Sequence, residues 1–561
     1  MQGKALDILI GGEAGQGLAT IGQVLAKSLV KRGYHIVVTQ DYLSRVRGGH
    51  NTFRIRADAR PLEAPREGVD LLVALDQESL DLHGHLLRPG AQAVADTGLA
   101  CGLAPCLNVP YAQLAPARYL NTVALGVCAQ LLGLDMALIQ GELAAYLGKK
   151  LTPEVTENNS AALQAAYDFA QGRRPDFAPL PPPPAAPPRL MINGNEALAL
   201  GALAGGLKFL AFYPMTPATS IALTVVAHAP ALGVVTEQAE DEIAAVNMAL
   251  GAAYAGAPAL VCTSGGGFAL MCEGVSLAGM TETPLVVALA MRPGPATGLP
   301  TRTEQGDLEL ALHAGHGEFP RAIYAPGGVE DCFHLAGRAM LAAERHQTPV
   351  FVLTDQFLAD SYRAVEPFDL AAVTPVQPGL AAVEDEAGYR RYALTDSGVS
   401  PRALPGFSRA LVVADSDEHT EDGHITEDLA VRVAMQDKRL RKLSGLLEDR
   451  LPPSFTGPEE AELLLVGWGS TRGSLLEAAQ ELTAAGRRVA TCHFSQVWPL
   501  DGQDFLARFA RAGQVVMVEG NATGQLAALI RRETGFEIGR LVLRYDGLPI
   551  TPEYIRRQLE G

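Results

Sequence analysis

Short continuous apolar runs recur along the chain, and segments with helical periodicity lie between them. Near the N-terminus, LDILI (6–10), HIVVT (35–39) and VDLLVAL (69–75) predict strands. Between the first two runs, apolar residues recur every three or four positions from Leu18 to Leu29, which gives the predicted helix one buried face. Strands that alternate with helices indicate a doubly wound α/β sheet.

The same alternation returns twice further along the chain. Unbroken apolar runs are typical of parallel strands buried on both faces, and they are found at FLAFYP (209–214), PALVCTS (258–264), PLVVALAM (284–291) and PVFVLTD (349–355). A last set comprises AELLLVGWG (461–469), RRVATCHF (487–494) and QVVMVEG (514–520). The sequence therefore predicts a multidomain α/β protein built on doubly wound, mostly parallel sheets.

Domain boundaries are predicted where this alternation stops. The run PLPPPPAAPP (179–188) lacks most amide hydrogens, so it predicts a semi-rigid extended spacer. A polar stretch rich in Pro and Asp interrupts the pattern again before the last strands. We expect an N-terminal domain (1–172), a proline-rich linker (173–190) and a central domain (191–365). An irregular connecting segment (366–458) and a C-terminal domain (459–561) are expected to follow.

Charge and composition narrow the function classes. Lys and Arg number 45 against 62 Asp and Glu, and the net charge of −17 argues against a nucleic-acid partner. No apolar run reaches the roughly 20 residues of a membrane helix, and no signal-peptide cleavage site follows the start, so we expect a cytoplasmic protein. The closest cysteines, Cys101 and Cys106, do not have the spacing of a metal or cluster site, and we expect two free thiols.

Two glycine-rich segments near the N-terminus are candidates for anion contact. GGEAGQG (11–17) follows a predicted strand and opens a helix, where backbone amides can hold a phosphate. A tight packing turn is the alternative, and the segment is not the G-x-G-x-x-G fingerprint of dinucleotide binding. RVRGGHN (45–51) is equally compatible with anion contact and with a solvated basic loop.

The central block carries the candidate chemistry. YPMTPAT (213–219) holds Thr216 between two prolines just beyond a strand, so its donors lie in a rigid loop. EQAEDEIAAVNMALG (237–251) begins with carboxylates that favour a helix N-terminus. Glu242 leads directly into the apolar face of that helix, so we expect it to be buried, to face a ligand and to move a proton.

Two further segments of the block are rich in glycine. The glycines of TSGGGFALM (263–271) permit close approach of a ligand. RPGPATGLPTRTEQGD (292–307) predicts a long functional loop, and Arg292 at its start can clamp a carboxylate. Outside the block, DEHTEDGHITED (417–428) carries two histidines, but their spacing fits no standard metal site, and we expect a solvated acidic loop.

Together these strings resemble the 2-oxoacid:ferredoxin (acceptor) oxidoreductases, and specifically the fused γ–α subunit of the 2-oxoglutarate branch. The first two segments are similar to the γ domain, and the central block is similar to the pyrimidine-binding domain of the α subunit. A transketolase C-terminal-like domain is implied for the last unit. The likeness extends to SPRALPG (400–406), GHITED (423–428) and YDGLPITPE (545–553).

The resemblance implies an enzyme that uses thiamine diphosphate, coenzyme A and a 4Fe–4S cluster, and that reversibly converts 2-oxoglutarate to succinyl-CoA and CO2. Glu242 would bond to the aminopyrimidine and drive its proton transfer, and Thr216 and Arg292 would hold the substrate carboxylate. Other positions are carried over by their motifs: Tyr213, Pro214, Met215, Gly265 and Gly266 at the cofactor, and Gly15, Gly17, Arg47, Gly48 and Gly49 near coenzyme A.

The resemblance also implies a partner. In that family a separate β subunit carries Mg²⁺, the diphosphate site and the cluster, so we expect a heterotetramer of two copies of each subunit that reduces ferredoxin and is inactive as this chain alone. No metal is expected on this chain. Pyruvate or a branched 2-oxoacid is the alternative substrate. A nucleotide-linked dehydrogenase and a non-catalytic assembly paralogue are the alternatives from other classes.

Overall fold

The apolar runs form the strands that they predict. The computed structural model describes residues 5–42, 49–103, 105–148, 152–173, 177, 180–183, 187–377, 388–407 and 409–560. Within these ranges the strands are β1 (Leu6–Glu13), β2 (His35–Asp41), β3 (His50–Asp58), β4 (Val69–Ala74), β5 (Leu87–Asp96), β6 (Cys106–Val109), β7 (Leu190–Ile192), β8 (Phe209–Phe212), β9 (Val235–Gln238), β10 (Ala259–Thr263), β11 (Leu285–Met291), β12 (Ala322–Tyr324), β13 (Pro349–Asp355), β14 (Arg363–Val365), β15 (Ser454–Thr456), β16 (Leu463–Trp468), β17 (Val489–Phe494), β18 (Gln496–Trp498), β19 (Gln514–Glu519) and β20 (Arg540–Leu543).

Helices alternate with these strands over most of the described chain. They are α1 (Leu18–Lys31), α2 (Gln77–His83), α3 (Tyr111–Leu114), α4 (Leu120–Leu131), α5 (Met136–Leu147), α6 (Pro153–Gln171), α7 (Gly194–Ala204), α8 (Thr219–Leu232), α9 (Glu242–Tyr254), α10 (Gly265–Leu270), α11 (Cys272–Met280), α12 (Leu308–His313), α13 (Val329–His346), α14 (Gln356–Asp360), α15 (Leu429–Glu448), α16 (Arg472–Ala484), α17 (Leu506–Arg511), α18 (Gln525–Thr534) and α19 (Pro552–Glu560). No helix among the described residues is both long and apolar enough to cross a bilayer.

The chain divides into two units. The first comprises Met1–Ile192, Asp360–Pro367 and Thr551–Tyr554, and the second comprises Asn193–Ala359, Phe368–Ile550 and Ile555–Gly561. In the first unit the described strands form a mixed sheet in the order β6-β5-β4-β1-β3-β2-β14-β7. The pairs from β6 to β1 are parallel, whereas those from β1 to β7 are antiparallel.

Strand β3 was not predicted, because part of it reads as a basic segment. Phe53, Ile55 and Ala57 point into the core, whereas arginines occupy the alternate positions. The core of this unit also buries Phe177 and Leu180, and the carbonyl of Leu180 accepts a hydrogen bond from the Tyr34 hydroxyl at 3.4 Å. The linker is therefore packed against the core at these two residues.

The second unit contains two sheets. Seven described strands lie in the order β18-β12-β13-β11-β10-β8-β9, all parallel except that β18 pairs antiparallel with β12. The other described sheet has the order β15-β17-β16-β19-β20, in which only β15 is antiparallel. One apolar core joins residues of both sheets, among them Val261, Phe351, Trp468 and Met517.

Helix α15 lies inside the segment that was expected to be irregular. The buried residues of this helix recur with the helical period, and they are Met435, Lys438, Arg439, Lys442 and Leu446. Because three of these five side chains are cationic, the sequence shows no apolar stripe.

A buried ionic cluster attaches this helix to the second unit. The Glu282 carboxylate is fully buried, with Lys438 Nζ 2.6 Å from Oε1 and Lys442 Nζ 2.6 Å from Oε2. Burial alone would raise the pKa of Glu282, but the two lysine charges outweigh it and lower the pKa to about 2. Arg391 donates to the Glu282 carbonyl at 2.8 Å. Cations that cannot reach water are thus held by one carboxylate.

Two local predictions are wrong. Cys101, in the segment after β5, and Cys106, the first residue of β6, form a disulfide instead of two free thiols. The acidic loop is not simply solvated. Glu418 pairs with Arg432 and Arg439 at 2.7 Å each, and the loop buries His419.

We predict that Glu282→Gln lowers the free energy of unfolding by about 3–5 kcal/mol at pH 7, because Lys438 and Lys442 would remain buried without a counter-charge. The stabilisation from the wild-type carboxylate is expected to be complete above pH 4.5 and to disappear as the pH falls towards 2. Urea unfolding at several pH values measures both effects. Glu273→Gln, which removes an exposed carboxylate on α11, is the control, and equal stability of the two variants would contradict the prediction.

Candidate active site

The candidate site lies at the carboxyl ends of three neighbouring parallel strands. β8, β10 and β11 pair in register, with Phe212 opposite Cys262 and Thr263 opposite Leu289. The loops that follow these strands therefore emerge at one edge of the sheet. Ligands of open α/β sheets bind at this edge.

Glu242 is the first residue of helix α9, and its side chain is only 3% exposed. The carboxylate of the preceding residue, Asp241, accepts the Ala244 amide at 2.7 Å and caps the helix. Capping is thus done by Asp241, and Glu242 is left for another role. Within the described chain, the buried Oε1 of Glu242 has no hydrogen-bond partner.

The Glu242 carboxylate reaches this position because residue 267 is glycine. A Cβ at Gly267 would overlap both Glu242 Oε1 and Thr263 Oγ1. The Thr263 hydroxyl in turn lies 3.9 Å from the sulfur of Met215. Glu242 and the two predicted segments that contain Met215 and the glycine run are therefore neighbours, as expected for one site.

Arg292 joins the same edge from the end of β11. Its guanidinium donates to the carbonyl of Thr216 at 2.6 Å. This is the one hydrogen bond that Arg292 forms with the described residues, and it pairs with no carboxylate there within 4.0 Å. Burial lowers the pKa of Arg292, and the charge of Asp307 opposes that effect. The arginine is held in place with donors left over for an anion.

The long loop after Arg292 is fixed at its far end by the other sheet of the second unit. The backbone amide of Gln305 donates to the Gly520 carbonyl at 2.6 Å. The side-chain oxygen Oε1 of Gln305 accepts the backbone amide of Gly520 at 2.8 Å. Asn521 donates to the Gln305 carbonyl at 3.2 Å, and Gln525 donates to the Gly306 carbonyl at 2.8 Å. The loop therefore has a defined course to Asp307.

Asp307 is the site residue that sequence reasoning missed. Its Oδ2 is buried without a hydrogen-bond partner in the described structure and faces Gly265, where a Cβ would be 2.5 Å from that oxygen. Burial raises the pKa of Asp307 to about 6, against the lowering effect of Arg292. Only the non-local approach of α10 reveals this burial, so the sequence offered no signal beyond the loop itself.

The other predicted cofactor positions frame this edge. Tyr213 is 40% exposed, Pro214 is exposed and Met215 is half-buried. A Cβ at Gly266 would meet no atom closer than the Ala296 carbonyl oxygen at 3.7 Å. Gly266 thus faces a more open space than Gly265 does.

The elements around the site also expose large apolar side chains. Seven such side chains are 40–60% exposed, and they are Tyr213, Leu223, Val235, Ile243, Met248, Leu270 and Leu299. Exposed apolar side chains in such number are typical of interaction sites in proteins.

The glycine turns of the first unit approach each other. The Ala14 amide donates to the Gly49 carbonyl at 3.2 Å, and the Gly12 and Glu13 positions of β1 pair with the start of β3. Gly15, Gly17 and Gly49 have φ values of 102°, 83° and 87°, which favour glycine. Gly17 precedes helix α1 without a side-chain cap, as an anion site requires. Arg47 and Gly48 lie outside the described residues.

A histidine pair lies at the same edge of the first unit. His50 Nε2 and His83 Nε2 are 2.7 Å apart. Burial and the neighbouring His50 lower the pKa of His83 to about 4, so the His83 ring is neutral at pH 7. Across the described residues, no group of three or more His, Cys, Asp or Glu side chains is placed to hold a metal ion.

Comparisons with known proteins agree with this geometry. The family described as "Pyruvate flavodoxin/ferredoxin oxidoreductase, thiamine diP-bdg" matches residues 200–438, "Pyruvate ferredoxin/flavodoxin oxidoreductase" matches residues 7–169, and "Transketolase, C-terminal domain" matches residues 457–558.

Two curated relatives and one solved structure are similar to the chain. Subunit alpha of 2-oxoacid:ferredoxin oxidoreductase 2 from Aeropyrum pernix is 33% identical over 620 residues, 97% of this chain and 96% of the relative. Subunit KorA of the Mycobacterium tuberculosis 2-oxoglutarate oxidoreductase is 35% identical over 74% of this chain and 64% of its own. The 2-oxoglutarate:ferredoxin oxidoreductase of Magnetococcus marinus, solved with 2-oxoglutarate, coenzyme A and succinyl-CoA bound, has a TM-score of 0.93, 33% identity and 99% coverage of both chains.

The chain belongs to the 2-oxoacid:ferredoxin oxidoreductase family and is similar to its alpha subunits over nearly its whole length. The resemblance read from the motifs is confirmed, as are the α/β fold class and the assignment to an oxidoreductase. The family match over the central block includes a thiamine-diphosphate-binding domain.

The residues at the edge of the sheet fit an aminopyrimidine. A buried carboxylate oxygen without a partner needs a donor, and the ring nitrogen of a protonated or imino aminopyrimidine supplies an N–H. The Glu242 carboxylate can occupy this position because Gly267 lacks a Cβ. Glu242 would hold the ring, and Thr263 and Met215 would lie beside it.

We predict that Gly267→Ala lowers the free energy of unfolding by about 1–3 kcal/mol, because the added methyl group overlaps Glu242 and Thr263. Thermal unfolding of the purified chain measures the effect. Gly251→Ala is a matched control on the neighbouring helix α9, since a Cβ there meets no atom within 4 Å. A loss of stability in the Gly251 variant as large as that in the Gly267 variant would refute the explanation.

Proposed function

We propose that this chain is the thiamine-binding subunit of an enzyme that converts 2-oxoglutarate, coenzyme A and oxidised ferredoxin to succinyl-CoA, CO2 and reduced ferredoxin, reversibly. The observation that carries the proposal is the buried, unpartnered carboxylate oxygen of Glu242 on the same sheet edge as the Arg292–Thr216 pair. One group suits a cofactor ring and the other suits a substrate carboxylate. The ligands named for the Magnetococcus marinus structure support the choice of substrate.

Glu242 acts on the proton of the cofactor ring. Bound thiamine diphosphate supplies a carbon nucleophile for 2-oxoacid decarboxylation. The Glu242 carboxylate would accept the N–H of the bound ring and hold its proton at that nitrogen. Because water is excluded from Oε1, the hydrogen bond forms in a medium of low polarity, where it is strong.

Arg292 and Thr216 orient the substrate. The Thr216 carbonyl holds one guanidinium nitrogen, which restricts the arginine to one direction. The remaining donors suit the two oxygens of a carboxylate. The Thr216 hydroxyl is half-buried in the rigid loop after β8 and is a further donor at the same edge.

The complete site requires a second subunit. Alpha-subunit relatives support a multi-subunit complex. We propose that a β subunit carrying Mg²⁺, the diphosphate site and a 4Fe–4S cluster covers the apolar surface around Glu242, in a heterotetramer of two copies of each subunit. Ferredoxin would then accept electrons from the β subunit. The glycine turns at Gly15, Gly17 and Gly49 are proposed to contact coenzyme A. The cytoplasmic location stays a prediction.

Pyruvate or a branched 2-oxoacid is the alternative substrate. Arg292 and Thr216 recognise the carboxylate that all 2-oxoacids share, so these residues do not select the side chain. The naming of KorA and of the Magnetococcus marinus structure favours 2-oxoglutarate.

We predict that Glu242→Gln lowers kcat at least about 100-fold in the complex with the β subunit, since an amide cannot replace a carboxylate as the proton-accepting partner. The assay follows reduction of ferredoxin by 2-oxoglutarate and coenzyme A. Glu240→Gln, two residues earlier and exposed, is the matched control and should keep wild-type turnover.

Two results would oppose the proposal. Wild-type turnover by the Glu242 variant would remove Glu242 from catalysis. A wild-type complex that turns over no 2-oxoacid, although its β subunit is active with another alpha subunit, would refute the proposed function itself.

A further inference from the structure

We propose that Asp307 takes up a proton when the carboxylate of a 2-oxoacid binds at Arg292, so that the affinity for substrate depends on pH. The inference rests on the proposed function, because it requires Arg292 to be the substrate's anchor. Asp307 is thus a residue that adjusts the affinity for substrate through Arg292.

The side chain of Asp307 does not cap the helix that begins after it. Asp307 is the N-cap of helix α12, and its carbonyl accepts the Ala311 amide at 2.9 Å. Asp is among the most favourable N-cap residues because its carboxylate can accept amides of the first turn. Here the carboxylate makes no such bond. Asp241 and Asp428, by contrast, both cap their helices.

The Asp307 carboxylate is instead directed at the glycine run of the site. Its two oxygens lie 2.5 and 2.7 Å from where a Cβ of Gly265 would stand. Oδ2 is buried and has no hydrogen-bond partner in the described part of the chain. A buried anionic oxygen without a donor is costly, and a proton on the carboxyl group would reduce that cost.

Among the described residues, two charged groups interact electrostatically with Asp307, and a further carboxylate lies against the same helix, α10. Arg292, at the end of β11, attracts the ionised carboxylate, and no described ion pair joins the two within 4.0 Å. Glu304, on the same loop, has its pKa raised by burial and by Asp307. Glu242 lies against Gly267, two residues from Gly265, and is the other carboxylate facing α10.

Ionised Asp307 and a bound carboxylate would compete for one guanidinium. Burial raises the pKa of Asp307 to about 6, so the group is mostly ionised at pH 7 in the free protein. A second negative charge beside Arg292 raises that pKa further. Between the two pKa values, binding takes up a proton. The apparent affinity for the substrate therefore falls as the pH rises above about 6, by at most about tenfold per pH unit.

The first test compares KM for 2-oxoglutarate between pH 6 and 8.5 in the wild-type complex and in Asp307→Asn. The KM ratio of wild type to variant should be near one at pH 6 and should rise to about fivefold or more at pH 8.5, because the amide is neutral throughout. Glu309→Gln removes a half-buried carboxylate two residues further on, at the start of α12, which pairs with His313 rather than with Arg292, and should keep the wild-type profile. A constant ratio over the whole pH range would overturn the proposal.

The second test can overturn the proposal with the wild-type complex alone. Binding of 2-oxoglutarate to the wild-type complex without thiamine diphosphate is measured calorimetrically at pH 7.5 in two buffers that differ in ionisation enthalpy. Proton uptake that is absent in Asp307→Asn supports the proposal, and binding without proton uptake in the wild type overturns it, even if the variant fails to assemble. If the wild-type complex has no 2-oxoacid activity, the proposed function fails instead, which is a different result from an active enzyme with an unchanged pH profile.

Discussion

The buried carboxylate of Glu242, pressed against a glycine, is the constraint on which the rest of the site depends. An unpaired buried acceptor costs about 1–3 kcal/mol, and a fold of marginal stability must offset that cost elsewhere. Asp241 caps the helix, so Glu242 does not have to. Gly267 has no Cβ, which would otherwise overlap the Glu242 carboxylate. Binding of a donor ligand returns the missing hydrogen bond. The site is therefore destabilised when empty and complementary to what it binds.

Rigid surroundings make this arrangement possible. The parallel strands below the site are fully buried, and one apolar core continues from their sheet into the C-terminal sheet. The Glu282 cluster adds an ionic attachment for the helix that follows the acidic loop. Such a cluster favours one arrangement of the chain, because any other leaves lysines buried without a counter-charge. The unpaired carboxylate of Glu242 is thus held in a domain that is stabilised elsewhere.

Sequence patterns predicted the parts of this protein in which local chemistry and tertiary environment agree. The runs at β8, β10, β11 and β13 are apolar because both faces are buried, so they were readable. Strand β3 alternates apolar residues with arginines, and α15 buries Lys438 and Lys442. The pattern of apolar residues therefore predicts neither element. Glu242 was predicted to be buried from its place before an apolar face. Asp307 was not, since its burial depends on a helix more than thirty residues earlier in the chain.

The hydrogen bonds between Gln305 and the Gly520–Asn521 turn limit which segments related chains can exchange. The two partners lie far apart in sequence yet define one loop, so neither has an autonomous shape. A recombination crossover between them would join halves that were not selected together. The conformation of this loop therefore depends on both segments, and grafting the loop alone would transfer its residues without their conformation.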